Sequence, residues 1–357
     1  MRGLVLALSA VLIAALGVAV PAQAVEAEVW VFLYADQESQ TGTYEPSQTS
    51  SAPGIKAEVT RTSEGNYDVP IAGAGKYRGV PMVTAVGGDG VHCQIRQFSA
   101  SDSTESVTVG CYRGTQFVDS RFTLTFFSSS QPDSGAAGAY GYVYDNRPTL
   151  TTYAKPPASY NSTGGRVEIH YDATEAMWTV HFLGEAFRNI AGNVQVVSVG
   201  TMPARCAVVQ WYPSELGADA QVRCDSPSGP SRPQWTLGYA HNRSIVGGTS
   251  GFFGYLQADQ PTSPAYTPNT DRNLAPNGLV HTVSRSGPGR YQAQIYGPLK
   301  EGVAVHLSVN GDTDAFCNLT HLVVTPDVQP AARVDLTCFT SAGVPADNWY
   351  SLNYYSP

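Results

Sequence analysis

The chain has 357 residues, with 29 acidic against 21 basic side chains and a formal charge of −8. With no Lys/Arg cluster, that balance argues against nucleic acid and anionic lipid as partners. Only 14% of residues are charged, while Gly, Pro and Tyr number 35, 24 and 20, which disfavours a helical protein and points to an all-β extracellular one.

Residues 1–24 read as a secretory signal peptide: Arg2 gives a positive start, 4–20 is an apolar run, and Ala22-Gln23-Ala24 is a small-residue cleavage site. The apolar run nearly reaches spanning length, so an uncleaved anchor is the alternative reading. No later stretch is long and apolar enough to insert in a membrane after cleavage, and the C-terminal residues carry no lipid-anchor motif. The mature chain is therefore expected to be secreted, in an extracellular setting where disulfides persist.

From residue 25 the same elements recur three times. In 25–130 an aromatic strand at 29–34 is followed by Asp36-Gln37, a polar loop at 37–54 holding Tyr44 and Pro46, and a hairpin marked by Arg61, Gly65 and Tyr67. A strand at 82–86, two strands around Cys93 and Cys111, and an alternating strand at 121–127 complete the copy. A small-residue linker (128–138) leads to the second copy, 139–243, with strand 139–144, Asp145-Asn146, and a loop at 146–164 holding Tyr153 and Pro156. There Tyr171 stands for the hairpin Arg, and strand 194–199, Cys206, Cys224 and strand 234–239 follow. After a second linker (241–250), the third copy, 251–357, runs through strand 253–257, Asp259-Gln260, and a loop at 260–278 with Tyr266 and Pro268. It continues through Arg285, Gly289 and Tyr291, then strand 303–309, Cys317, Cys338 and strand 349–354. First cysteines lying 113 and 111 residues apart mark a repeat architecture. The fold class predicted is all-β: three tandem Ig-like β-sandwich domains of about seven strands, each with one cross-strand disulfide.

The cysteines carry a register test. If Cys93 faces Cys111 in an antiparallel pair, then Ile95 must face Val109. The second copy likewise sets Val208 against Val222 beside Cys206 and Cys224, and the third sets Leu319 against Leu336 beside Cys317 and Cys338. Every such pair is apolar, so one face of each hairpin carries both the sulfurs and core residues. Six cysteines allow fifteen connectivities, and the thrice-repeated local spacing selects this one. A bridge closing about twenty residues stabilises its copy by roughly 3 kcal/mol at most. Unlike an antibody bridge, it joins consecutive strands, so the likeness to Ig domains is one of strand count. Each third is expected to fold alone.

Catalytic sets are missing. The seven histidines occupy non-matching places in the copies, and no His-Glu-x-x-His or Gly-x-Ser-x-Gly occurs. Asn310-Gly-Asp312-Thr-Asp314 faintly resembles a calcium loop, but its counterparts are ordinary turns. With every cysteine paired no thiol nucleophile remains, so the chain is expected to be non-enzymatic, with no metal and no cofactor. Two features are binding candidates. Aromatic residues spaced by two (Trp30/Phe32/Tyr34, Tyr140/Tyr142/Tyr144, Phe253/Tyr255) share one face of a strand. Exposed, they form a stacking platform for sugars or a docking surface; buried, they are core. The loops around Tyr44, Tyr153 and Tyr266 either work or hide an extra edge strand. The ligand-binding candidates are Trp30, Tyr34, Tyr44, Tyr142, Tyr153, Tyr255 and Tyr266.

These landmarks together, with Tyr255-Leu-Gln-Ala-Asp-Gln-Pro261 as the clearest opening and Gly114/Asp119/Phe122 and Gly343/Asp347/Tyr350 after the cysteines, resemble a family of secreted bacterial β-sandwich repeats. Its repeats are about 110 residues long with one cysteine pair each, and it is uncharacterised. The resemblance implies the architecture and carries no activity with it. The function expected is a secreted, non-enzymatic protein that binds a cell-surface carbohydrate or protein. The alternatives are a passive extracellular spacer and a hydrolase with an inter-domain site.

Overall fold

The computed structural model describes residues 28–75, 78–129, 138–154, 156–246, 251–300 and 302–356. The signal peptide, residues 130–137 of the first linker and residues 247–250 of the second lie outside them. Among the described residues the chain is all-β, with three short 3-10 turns as its only helical elements.

Each copy builds a sandwich from two sets of strands. The front set is antiparallel and consists of an opening strand, a closing strand and an inner strand. In the first copy these are Val29–Ala35, Arg121–Ser128 and Val80–Val86. In the second they are Ala139–Asp145, Gln234–His241 and Asn193–Val199. In the third they are Phe252–Ala258, Trp349–Ser356 and Ala304–Asn310. The back set joins the cysteine hairpin to the hairpin that precedes it in sequence, as where Asn66–Ala72 pairs with Thr104–Arg113. Between the two sets lie residues such as Val31, Leu33, Leu124, Tyr67 and Val69, none more than 0% exposed. The long polar loops do hold edge strands: Gly42–Tyr44 adds to the back set and Gln48–Ser51 to the front.

The cysteine register is the one the sequence predicts. Cys93 faces Cys111 with Ile95 on Val109, Cys206 faces Cys224 with Val208 on Val222, and Cys317 faces Cys338 with Leu319 on Leu336. Their Cα atoms lie 4.0, 4.0 and 3.9 Å apart, the close spacing of a non-hydrogen-bonded pair. A bulge follows in every copy, directly after Ile95, Val208 and Leu319. A bulge bends and over-twists its strand, and the residue before it is where the next copy attaches.

Ile95 bridges in parallel to Val199, Val208 to Asn310, and Leu319 to Val86. Each joint is sealed by a glycine amide: Gly200 donates to Ile95 O (3.0 Å), Gly311 to Val208 O (3.0 Å) and Gly87 to Leu319 O (2.7 Å). The front of each copy thus continues into the back of another, in the cycle 1 to 3, 3 to 2, 2 to 1. Three sheets of nine, eleven and ten strands result, and no sheet ends at a copy boundary. The tandem sandwiches close into a ring with approximate threefold symmetry.

Closure explains the inner strands, which are buried along their whole length. One face meets its own sandwich and the other the ring axis, so these strands stay buried even where polar residues alternate with apolar ones, as in Ala304–Asn310. The axis also holds polar groups, and these are bonded across copies. Thr123 and Thr236 donate to Val305 O (3.0 Å) and Pro81 O (2.8 Å), equivalent contacts at two seams. His306 sits between Thr84 (Nδ1, 3.3 Å) and Thr125 (Nε2). Because such bonds are lost if a strand slips, they fix register where an apolar contact alone would tolerate sliding.

A latch ties the ends of copies 1 and 3. Asp119 takes both Arg61 Nε and Nη2 and the Gly65 amide at 2.8 Å each, and Asp347 does the same for Arg285 and Gly289. In copy 2 the charges have moved: Tyr171 occupies the Arg position, and Arg232, in the Asp position, lies 3.7 Å over its ring. A cation–π contact there replaces the bidentate ion pair.

Candidate functional site

The aromatic ladders face neither their own core nor open solvent. They project from the outer side of each front set into the seam with the next copy. Tyr142 and Tyr255 are 0% and 1% exposed, so they offer no ring face to a ligand, which corrects the platform expectation for both. Tyr142 instead packs edge-on to Phe127 of copy 1 (5.4 Å) and donates to Arg78 O (3.0 Å). Trp30 is half-buried against Tyr355 of copy 3, with ring centroids 5.1 Å apart.

The loop tyrosines are braces. Tyr44, which is buried, accepts the Gln37 amide (3.4 Å), and Tyr266 accepts the equivalent Gln260 amide (3.2 Å). Tyr153 donates to Asp145 (2.5 Å). Each pins the turn after the opening strand, which gives these three tyrosines a structural role as ties within their own copy.

Tyr34 is different. With Phe32 beside it, it lines a groove of about 200 Å³ between copies 1 and 3. Copy 1 contributes Gln48 and Arg121 as polar groups, and copy 3 contributes His321 and Leu322. Arg121 Nη1 donates to Tyr34 Oη (3.2 Å) while its Nε pairs with Glu38 (3.2 Å). Burial raises the Tyr34 pKa, so the phenol stays protonated and keeps an O–H to offer. Pockets for drug-sized ligands span roughly 300–1,000 Å³; this one has room for a single ring-sized group.

At the other two seams a larger side chain occupies the position equivalent to Leu322. Where copy 3 has Leu322, copy 1 has Phe98, whose ring packs on Tyr144 at 4.6 Å. Copy 2 has Trp211 there, covered by Arg272 at 4.4 Å, and Arg272 also donates to Gln257 Oε1 (2.6 Å). Tyr144 and Gln257 are the counterparts of Tyr34 in strand register. Sequence reasoning missed Gln48, Arg121, His321 and Leu322. A signal for the last was present: the fifth residue after the first cysteine is Phe98, Trp211 or Leu322.

Two charged contacts among the described residues lie away from the groove. His181 Nδ1 lies 2.8 Å from Asp219 Oδ1, a cross-strand pair on the back of copy 2. Asp312, from the calcium-like turn, is paired with Arg223 across the seam of copies 2 and 3. Among the described residues no three His, Cys, Asp or Glu side chains converge as a metal site would require. Compared with known proteins, the chain matches no family model, no curated sequence and no solved structure. All six cysteines are bridged, which belongs to a non-cytoplasmic, oxidising compartment. Among the described residues no helix is long and apolar enough to cross a membrane.

Proposed function

We propose that this is a secreted, non-enzymatic protein that binds a cell-surface carbohydrate in the groove between copies 1 and 3. The observation that carries this reading is the groove itself, the one of three equivalent seams left unplugged, because Leu322 stands where Phe98 and Trp211 fill the others. Its chemistry suits a sugar: Phe32 and Tyr34 give apolar ring surface, while Arg121, His321 and Gln48 offer hydrogen-bonding groups around it. A protein partner fits less well, since a stable protein interface buries roughly 800 Å² per side and centres on a larger anchor pocket. A ring of three fused sandwiches also holds both walls of the groove on strands rather than on loops.

The test is retention of the mature chain on a panel of polysaccharides and intact cell walls, alongside the variant Arg121→Ala. Specific retention that the variant loses supports the reading. No retention on any polysaccharide favours the passive spacer instead.

A further inference from the structure

At one end of the ring axis, three equivalent positions just before the first cysteines carry different side chains: His92, Arg205 and Phe316. These three line an outer vestibule of about 240 Å³ and also an inner chamber of about 60 Å³, and so separate the two. Their chemistry is not that of a simple plug. Arg205 is only 9% exposed, lies 5.1 Å over the Phe316 ring, and donates through Nη1 to Ser341 O at 3.2 Å. That is one partner for a group with five donors. Among the described residues no carboxylate reaches ion-pair distance; Asp225 and Asp314 act on it only through longer-range attraction. Burial depresses its pKa, the mark of a cation held without full compensation.

His92 is 6% exposed and its Nε2 has no hydrogen-bond partner. The ring stacks on Tyr112 at 5.6 Å and bonds to the Tyr112 backbone, while burial drives its pKa down to about 3, so it is neutral. Since the backbone bond favours the protonated ring, a ring N–H donates to the Tyr112 carbonyl, and unpartnered Nε2 is left as a bare acceptor. His92 and Arg205 flank the same Phe316 ring, at 5.7 and 5.1 Å from its centre. A buried cation lacking a counter-ion and a buried acceptor lacking a donor therefore border one vestibule.

We propose that the axial vestibule is a second ligand site, which takes a small hydroxylated carboxylate of the sugar-acid class. The carboxylate pairs with Arg205 and a ligand hydroxyl donates to His92 Nε2. This site is separate from the groove and does not rest on the groove's assignment. Arg113, at the rim, is paired with Asp89 (2.5 Å), so Arg205 is the uncompensated cation of the vestibule.

The experiment is a titration of the full mature chain with glucuronate, glucose, acetate and sulfate at constant ionic strength, followed by calorimetry and by the Arg205 Nε–H resonance. The expected result is saturable glucuronate binding that moves this resonance. Acetate should bind at least tenfold more weakly, and glucose should leave the resonance unmoved. Arg205→Met should abolish the response and Arg121→Ala should leave it intact. The resonance in the unmodified chain decides the matter even if Arg205→Met does not fold. No saturable shift, an equal response to sulfate, or loss of binding in Arg121→Ala with the resonance unmoved would each overturn the proposal.

Discussion

Between copies 2 and 1 Phe98 packs on Tyr144, and between copies 3 and 2 Trp211 lies under Arg272. Between copies 1 and 3 the same position is Leu322, and a cavity of about 200 Å³ remains. All three seams share one parallel bridge and one glycine amide bond. The backbone does not distinguish them, so the difference is one of side chains. Approximate symmetry thereby supplies its own control: two seams show what packing alone prefers, and the third departs from it. A cavity that a larger side chain at a single position would fill, yet does not, is better explained by what enters it than by stability.

Substitutions that exchange the seams should break this comparison. Leu322→Trp should fill the groove and abolish glycan retention, with thermal stability unchanged or raised; retention that survived would place binding elsewhere. Trp211→Leu should open a matching hole and cost about 2–4 kcal/mol by the usual penalty for emptying a core site, measured as a denaturant midpoint. The fact that Arg272 also loses the ring it covers makes this the more damaging of the two opened seams. For Phe98→Leu, which is half-buried, the cost should be smaller, about 1–2 kcal/mol.

Acid should sharpen the contrast further. Burial holds His92 and His306 at about 3 and His241 and His281 at about 4. Unfolded, they titrate near 6.5, so below that pH the unfolded chain takes up protons that the folded chain refuses. Their contribution is whole above pH 6.5 and is lost as pH falls toward 3–4, each adding up to about 1.4 kcal/mol per pH unit. Since His306 lies between Thr84 and Thr125, the seam of copies 1 and 3 should loosen with acid, and His306→Gln should flatten the pH dependence of the urea midpoint.

Glu105 supplies the smallest effect and the opposite sign. It is 3% exposed, its Oε1 has no partner, and burial raises its pKa to about 7. The folded state therefore prefers the protonated carboxyl, and stability falls as pH rises from about 4.5, where the unfolded carboxyl ionises, to about 7, above which the loss is complete. Glu105→Gln should gain about 1 kcal/mol at pH 8 and little at pH 5, where a gain of equal size would contradict the assignment. Its counterparts in strand register are Ala218 and Ala332, so copy 1 alone should show this loss.

The sandwiches and their disulfides were legible in the sequence because cross-strand geometry is local: once Cys93 faces Cys111, the partners of Ile95 and Val109 follow. Copy 2's departure at Tyr171 was visible, but its remedy was not, since it depends on Arg232 more than sixty positions away folding back over that ring. The ring could not be read, because each joint is a single parallel bridge with no motif of its own. The hint lay in the inner strands. The stretch from Val194 to Val199 places valines on both faces, Val194 and Val196 on one and Val197 and Val199 on the other, which a sandwich facing water does not need. The aromatic ladders misled for the same reason: their spacing shows that they share a face but not what that face meets.

Amide hydrogen exchange at Gly87, Gly200 and Gly311 in the intact chain tests ring closure most directly. Closure predicts that all three exchange only through global unfolding, with Gly87, which bonds Leu319 O at 2.7 Å and so links the first copy to the last, as protected as the others. If Gly87 exchanged at loop rates while Gly200 and Gly311 stayed protected, the molecule would be an open row of three sandwiches, and the groove between copies 1 and 3 would not exist.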